Sequence, residues 1–86
     1  MEPMESNSEA GKLIAIVEDD PDVARTIEQV LGDFGCRTVW CRNAGELLRR
    51  LRQTAPDLCI VDLGLPDMDG LEVMQRVRAQ SPCGIL

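Results

Sequence analysis

The chain has 86 residues, with 9 basic and 15 acidic side chains and a net charge of −6 at neutral pH. A chain of this length holds one small domain, which buries only about 60 to 65% of its unfolded surface. The acidic balance argues against nucleic-acid binding by this segment and is compatible with binding cations, and no apolar stretch approaches the roughly 18 to 20 residues of a membrane span.

Residues 1 to 11 read as a mobile tail, and their polar start lacks the basic and apolar parts of a signal peptide, so a cytoplasmic location is expected. Leu13-Ile14-Ala15-Ile16-Val17 follows, a short apolar run without polar alternation that suits a strand buried on both faces. It stops abruptly at Glu18-Asp19-Asp20. Val23, Ile27, Val30, Leu31 and Phe34 then fall on one face of an amphipathic helix. Asp20 can cap its first turn, Pro21 suits its first position, and Gly35 suits the left-handed residue that closes its last. Cys36 to Cys41 has the mixed polarity of a strand nearer the sheet edge.

Asn43 with Glu46 three residues later resembles a capping box, and Ala44, Leu47, Leu48 and Leu51 supply the buried stripe of a second helix. Arg49, Arg50 and Arg52 fall mostly on its outer face, which reads as a solvated face in preference to a basic docking patch. Pro56 ends that unit before a second apolar run, Leu58-Cys59-Ile60-Val61, which stops at Asp62. The stretch from Gly64 to Gly70 is rich in turn residues, a third helix is expected from about Leu71 to Ala79, and Gly84-Ile85-Leu86 opens another buried strand after the break at Ser81-Pro82. Such alternation specifies βαβ crossovers and a doubly wound parallel sheet of the α/β class. Cys36, Cys41, Cys59 and Cys83 form no C-x-x-C pair, and with no histidine in the chain they read as buried, reduced thiols.

In such a sheet ligands bind beyond the carboxyl ends of the strands. If the two apolar runs lie side by side, Glu18, Asp19 and Asp62 reach the same edge although more than forty positions separate them. Carboxylates about 5 Å apart repel by roughly 3 kcal/mol per pair at an effective dielectric near 20, so three of them call for a proton or a cation. All-oxygen donors point to Mg²⁺ or Mn²⁺. Asp62, alone at the end of the most apolar strand, is the best candidate for a nucleophile that accepts a phosphoryl group. Asp20 reads as a helix cap, and Asp67 and Asp69 as turn residues; they do not make a calcium loop, because with Gly70 sixth, the first position is Leu65 and the twelfth Arg76.

Ile16-Val17-Glu18-Asp19-Asp20, together with the segment from Pro56 through Asp62 to Gly70, resembles the receiver domain of bacterial two-component response regulators. The similarity runs from about Lys12 to Leu86, with Asp62, Pro66 and Gly70 in the family's register. It implies a flavodoxin-like receiver fold in which Asp62 receives a phosphoryl group from a histidine kinase or phosphotransfer protein. It further implies that Asp19, Asp62 and the Gly64 carbonyl bind Mg²⁺ directly, with Glu18 acting through water and Pro66 and Gly70 shaping the loop. Residues 12 to 86 would make a partial receiver of about three βα units plus the start of a fourth strand. The family's Thr or Ser and its Lys are absent from the chain, and Lys12, its one lysine, stands about 17 Å from the acidic edge.

The expectation is therefore a phospho-accepting signalling module and not a metabolic enzyme. The alternative is a truncated, phosphorylation-incompetent fragment serving as an interaction or dimerisation element, with a homodimer or swapped dimer formed through an exposed sheet edge. A phosphatase of the haloacid dehalogenase type fits poorly, since its general-acid position two residues after the nucleophile is Gly64 here.

Overall fold

Leu13–Val17 forms β1, Pro21–Asp33 forms α1 and Arg37–Cys41 forms β2. Ala44–Arg50 is α2, Leu58–Val61 is β3, Gly70–Gln80 is α3 and Gly84–Ile85 is β4. The computed structural model describes residues 11–62, 64–81 and 84–85. All of the expected tail except Gly11, and with it Pro82, Cys83 and Leu86, lies outside the described residues.

The strands form one parallel sheet in the order β2-β1-β3-β4, the doubly wound α/β arrangement that the alternation predicts. Strand alternation sends Ala15 and Val17 to one face and Ile14 and Ile16 to the other. On the first face they join Cys41 and Cys59 with Ala44 and Leu47 of α2 and Val73 and Val77 of α3 in a continuous core. Both faces are sealed, with Ala15, Ile16 and Val17 at most 1% exposed, which is why β1 reads as an unbroken apolar run. At the amino-terminal edge Asp57 ties the strands together. Its Oδ2 accepts from the Leu13 amide at 2.9 Å, and its own amide donates to the Leu13 carbonyl at 2.7 Å.

The helix ends obey local chemistry. Asp20 Oδ1 accepts from the Asp22 amide at 2.9 Å, with Pro21 in the first turn. Beyond α1, Gly35 takes φ 82°, its amide donates to Gly32 O and the Cys36 amide donates to Leu31 O, the paired bonds of a Schellman motif. Asn43 Oδ1 accepts from Glu46 N at 2.8 Å, while Glu46 Oε1 reaches back to the Arg42 amide at 2.6 Å. Gly35→Ala is expected to cost about 1 kcal/mol through its left-handed backbone. Gly32→Ala, where an added Cβ meets nothing within 4 Å, should gain about 0.4 to 1 kcal/mol. Opposite shifts in the thermal midpoint check the pair.

Three expectations need correction. The apolar stripe of α1 is not uniformly covered: Ala24 is 1% exposed, whereas Val23, Val30 and Phe34 are 43, 50 and 78% exposed. The covered line is Ala24, Ile27 and Leu31, the latter two half-buried, because the helix packs mainly on β1 and β2 and one sheet face covers a narrower stripe than the sequence offers. Phe34 lies past the last helical turn as the C-cap. Cys36 is half-buried in the Schellman turn and not in β2, whereas Cys41 and Cys59 are buried. Burial, with the Glu46 charge adding to it, pushes the Cys41 thiol up to about 11. Finally, α3 begins at Gly70 and ends at Gln80, one residue wider at each end than the periodicity predicts.

Candidate functional site

Val17 and Val61 are paired in register, and the ladder runs one step further where the Asp62 amide donates to the Val17 carbonyl at 3.0 Å. On the other side the Glu18 amide donates to the Cys41 carbonyl at 3.0 Å. Both acids therefore leave the sheet at the carboxyl ends of adjacent parallel strands. One carboxylate oxygen from each of Glu18, Asp19 and Asp62 lies within 4.8 Å of the others, an all-oxygen donor set of a kind that can hold a metal ion. Glu18 and Asp62 are half-buried and Asp19 is exposed.

Two of the three acids are oriented by short-range bonds. Glu18 Oε2 accepts from the Asp20 amide at 3.2 Å, and Asp62 Oδ1 accepts from the Gly64 amide at 3.0 Å, which folds the chain back beside the carboxylate. Partial burial raises the Glu18 carboxyl above its ordinary value of 4.5; the Asp20 amide pulls it down, while the charge of Asp62 and hydrogen bonding with Asp62 and Asp19 push it further up. A carboxyl whose pKa is higher when folded favours the folded chain below the ordinary value, and that contribution is lost as pH rises through the raised value. Glu18→Gln should therefore gain stability over the parent at neutral pH and lose that advantage in acid. Denaturant midpoints of the two proteins across the acidic range check it.

Pro66 is exposed on the loop after Asp62, and Gly70 is buried at the first turn of α3. Gly64 is exposed and takes no positive φ, so its place in the sequence is not enforced by backbone strain. Asp67 and Asp69 are more than turn residues. Asp69 caps α3, accepting from the Glu72 amide at 2.9 Å, a role visible in advance from the Asp69, Glu72 spacing that also marks Asn43 and Glu46. The Asp67 carboxylate crosses to α2, accepting from Ala44 N at 3.1 Å and Gly45 N at 3.0 Å. Trp40 was legible only as a strand residue, yet its indole Nε1 donates to the Glu18 carbonyl at 2.7 Å, and the Arg42 guanidinium lies 5.1 Å from its ring centroid. No local pattern announces the bond to Glu18, 22 positions away.

The model of the response regulator receiver domain matches residues 14–86. The chain belongs to that family. This receiver is 37% identical over 75 residues to protein-glutamate methylesterase/protein-glutamine glutaminase 1 of Pseudomonas fluorescens, covering 85% of the chain and 22% of that protein. It is 37% identical over 68 residues to the DNA-binding response regulator MtrA of Mycolicibacterium smegmatis, covering 79% of the chain and 30% of MtrA. It thus spans less than a third of the length of either curated relative. Among solved structures, the BeF3-activated receiver domain of Klebsiella pneumoniae RstA superposes with a TM-score of 0.79 at 30% identity, over 86% of this chain and 63% of that one. The receiver is a two-component signalling domain with bacterial relatives, and among its described residues no helix is long and apolar enough to cross a membrane.

Proposed function

We propose that this receiver accepts a phosphoryl group on Asp62 from a histidine kinase or phosphotransfer protein, in a reaction that depends on Mg²⁺ or Mn²⁺. The observation that carries the reading is the meeting of Glu18, Asp19 and Asp62 within 4.8 Å at the carboxyl edge of the sheet. Like charges meet there, and the Glu18 carboxyl, raised first by partial burial and further by the Asp62 charge, fits a cation site. Asp19, Asp62 and the Gly64 carbonyl would hold the ion, with Glu18 acting through water. A divalent cation in that position offsets negative charge on phosphoryl oxygens.

The chain's own part is to present an Asp62 oxygen to phosphorus, with the neighbouring Gly64 amide as a hydrogen-bond donor at the same carboxylate. Trp40 and the Asp20 amide keep Glu18 at the edge of the site. The existence of a BeF3-activated form of the RstA receiver supports reading this domain as a switched module. Its role is signalling in the cytoplasm and not metabolic catalysis; the methylesterase and DNA-binding activities in the relatives' names are those of proteins far longer than the stretch matched here.

Incubating the 86-residue chain with Mg²⁺ and a small-molecule phosphodonor, then recording its intact mass, tests the proposal. One phosphoryl adduct on a folded monomer supports it. A second reading, an interaction or dimerisation element, draws on the exposure of Val23, Val30 and Phe34 along α1. An unmodified, compact dimer would favour it.

A further inference from the structure

We propose that Asp67 is a positioning residue for the acidic site: by clasping the start of α2, its carboxylate fixes the loop that carries Gly64. The inference rests on the reading of Glu18, Asp19, Asp62 and the Gly64 carbonyl as a cation site. An aspartate that only shapes its own turn bonds to backbone amides about two residues on. Asp67 instead bonds 23 and 22 residues away, one oxygen to Ala44 N and the other to Gly45 N.

Those two amides are what the local caps leave over. Asn43 satisfies Glu46 N and Glu46 satisfies Arg42 N, so the first two amides of α2 have no partner in their own segment. Asp67 takes both, and its negative charge sits favourably at a helix start. The anchor is rigid, because Ala44 and Leu47 of α2 are both 0% exposed in the core. Loop and anchor are therefore joined at a fixed point only three residues after Gly64, a span of at most about 11 Å of extended chain. Between the two, Leu65 is buried at 8% exposure, so the segment has little slack. Beyond the clasp, Asp69 fixes the loop to α3. A ligand-bearing loop held by a packed helix keeps its donor atom in place through bonds that do not touch the ligand.

The test measures Mg²⁺ affinity of the 86-residue chain and its variants by calorimetry, with thermal midpoints alongside. Asp67→Ala removes both bonds and is expected to weaken binding by about tenfold. Asp67→Asn keeps the shape and one acceptor, should weaken binding by a smaller factor, and carries the test if the alanine variant does not fold. Asn43→Ala removes a different cap from the same helix and serves as the stability control. It should lower the midpoint and leave Mg²⁺ affinity within about twofold, since the loop bonds remain. Parental affinity in a folded Asp67→Ala, or in Asp67→Asn where the alanine variant does not fold, would overturn the proposal alone, as would an equal loss in Asn43→Ala. Absence of Mg²⁺ binding by the parent chain would overturn the cation-site reading and this inference with it.

Discussion

Asp62→Asn is expected to abolish the phosphoryl adduct entirely while leaving the domain folded. The nucleophile in this account is a carboxylate oxygen, and an amide oxygen neither carries the charge nor forms a stable acyl phosphate. The substitution is otherwise mild. Asparagine keeps an oxygen to accept from Gly64 N, so the turn after β3 persists. It also removes one of the three crowded carboxylates, so the thermal midpoint should hold or rise, and the Glu18 carboxyl should fall toward its ordinary value once the Asp62 charge is gone. Intact mass spectra of parent and variant, before and after hydroxylamine, check the claim: hydroxylamine should strip the adduct from the parent, as it does from an acyl phosphate. A variant that still gains the phosphoryl group would place the chemistry on another residue.

Leu47→Ala should have the largest effect on stability. Leu47 is 0% exposed and belongs to the core cluster of the face that α2 and α3 cover, with Ala44, Val73 and Val77. Replacing such a leucine with alanine costs about 2 to 5 kcal/mol, because the cavity collapses only in part. A domain of this length holds only roughly 4 to 13 kcal/mol in total. The thermal midpoint should therefore fall by roughly 10 °C or more, and the acid edge should loosen with it, since α2 is also the anchor of Asp67. Leu71→Ala is the comparison: at 66% exposure that leucine contributes little, and its loss should stay within about 0.5 kcal/mol. Thermal melts of the two variants decide whether the core lies where the structure puts it.

What the sequence revealed and what it hid divide along the range of the interactions. Asp20, Gly35, Asn43 and Glu46 were legible as caps because a cap is decided within four residues of itself. The parallel sheet was legible as well, because apolar runs buried on both faces call for one, and the acids meet at its carboxyl edge once β1 and β3 are neighbours. Asp57, Asp67 and Trp40 were not, since their partners lie 44, 23 and 22 positions away and nothing in their neighbours records the contact. The stripe of α1 misled for another reason: helical periodicity shows which residues share a face, not how much of that face a neighbour covers, and Val23, Val30 and Phe34 remain outside.

Glu18, Asp19, Asp62 and the Gly64 carbonyl, as proposed, together form one divalent-cation site. Amide NMR spectra of the ¹⁵N-labelled chain during titration with substoichiometric Mn²⁺ test it most directly, because the ion broadens nearby amides first. Early loss of the Glu18, Asp19, Asp62 and Gly64 signals is expected, while Leu13, Arg37 and Asp57, at the opposite ends of the strands about 17 Å away, stay sharp until later in the titration. Early broadening centred elsewhere in the molecule, or none at all, would contradict it.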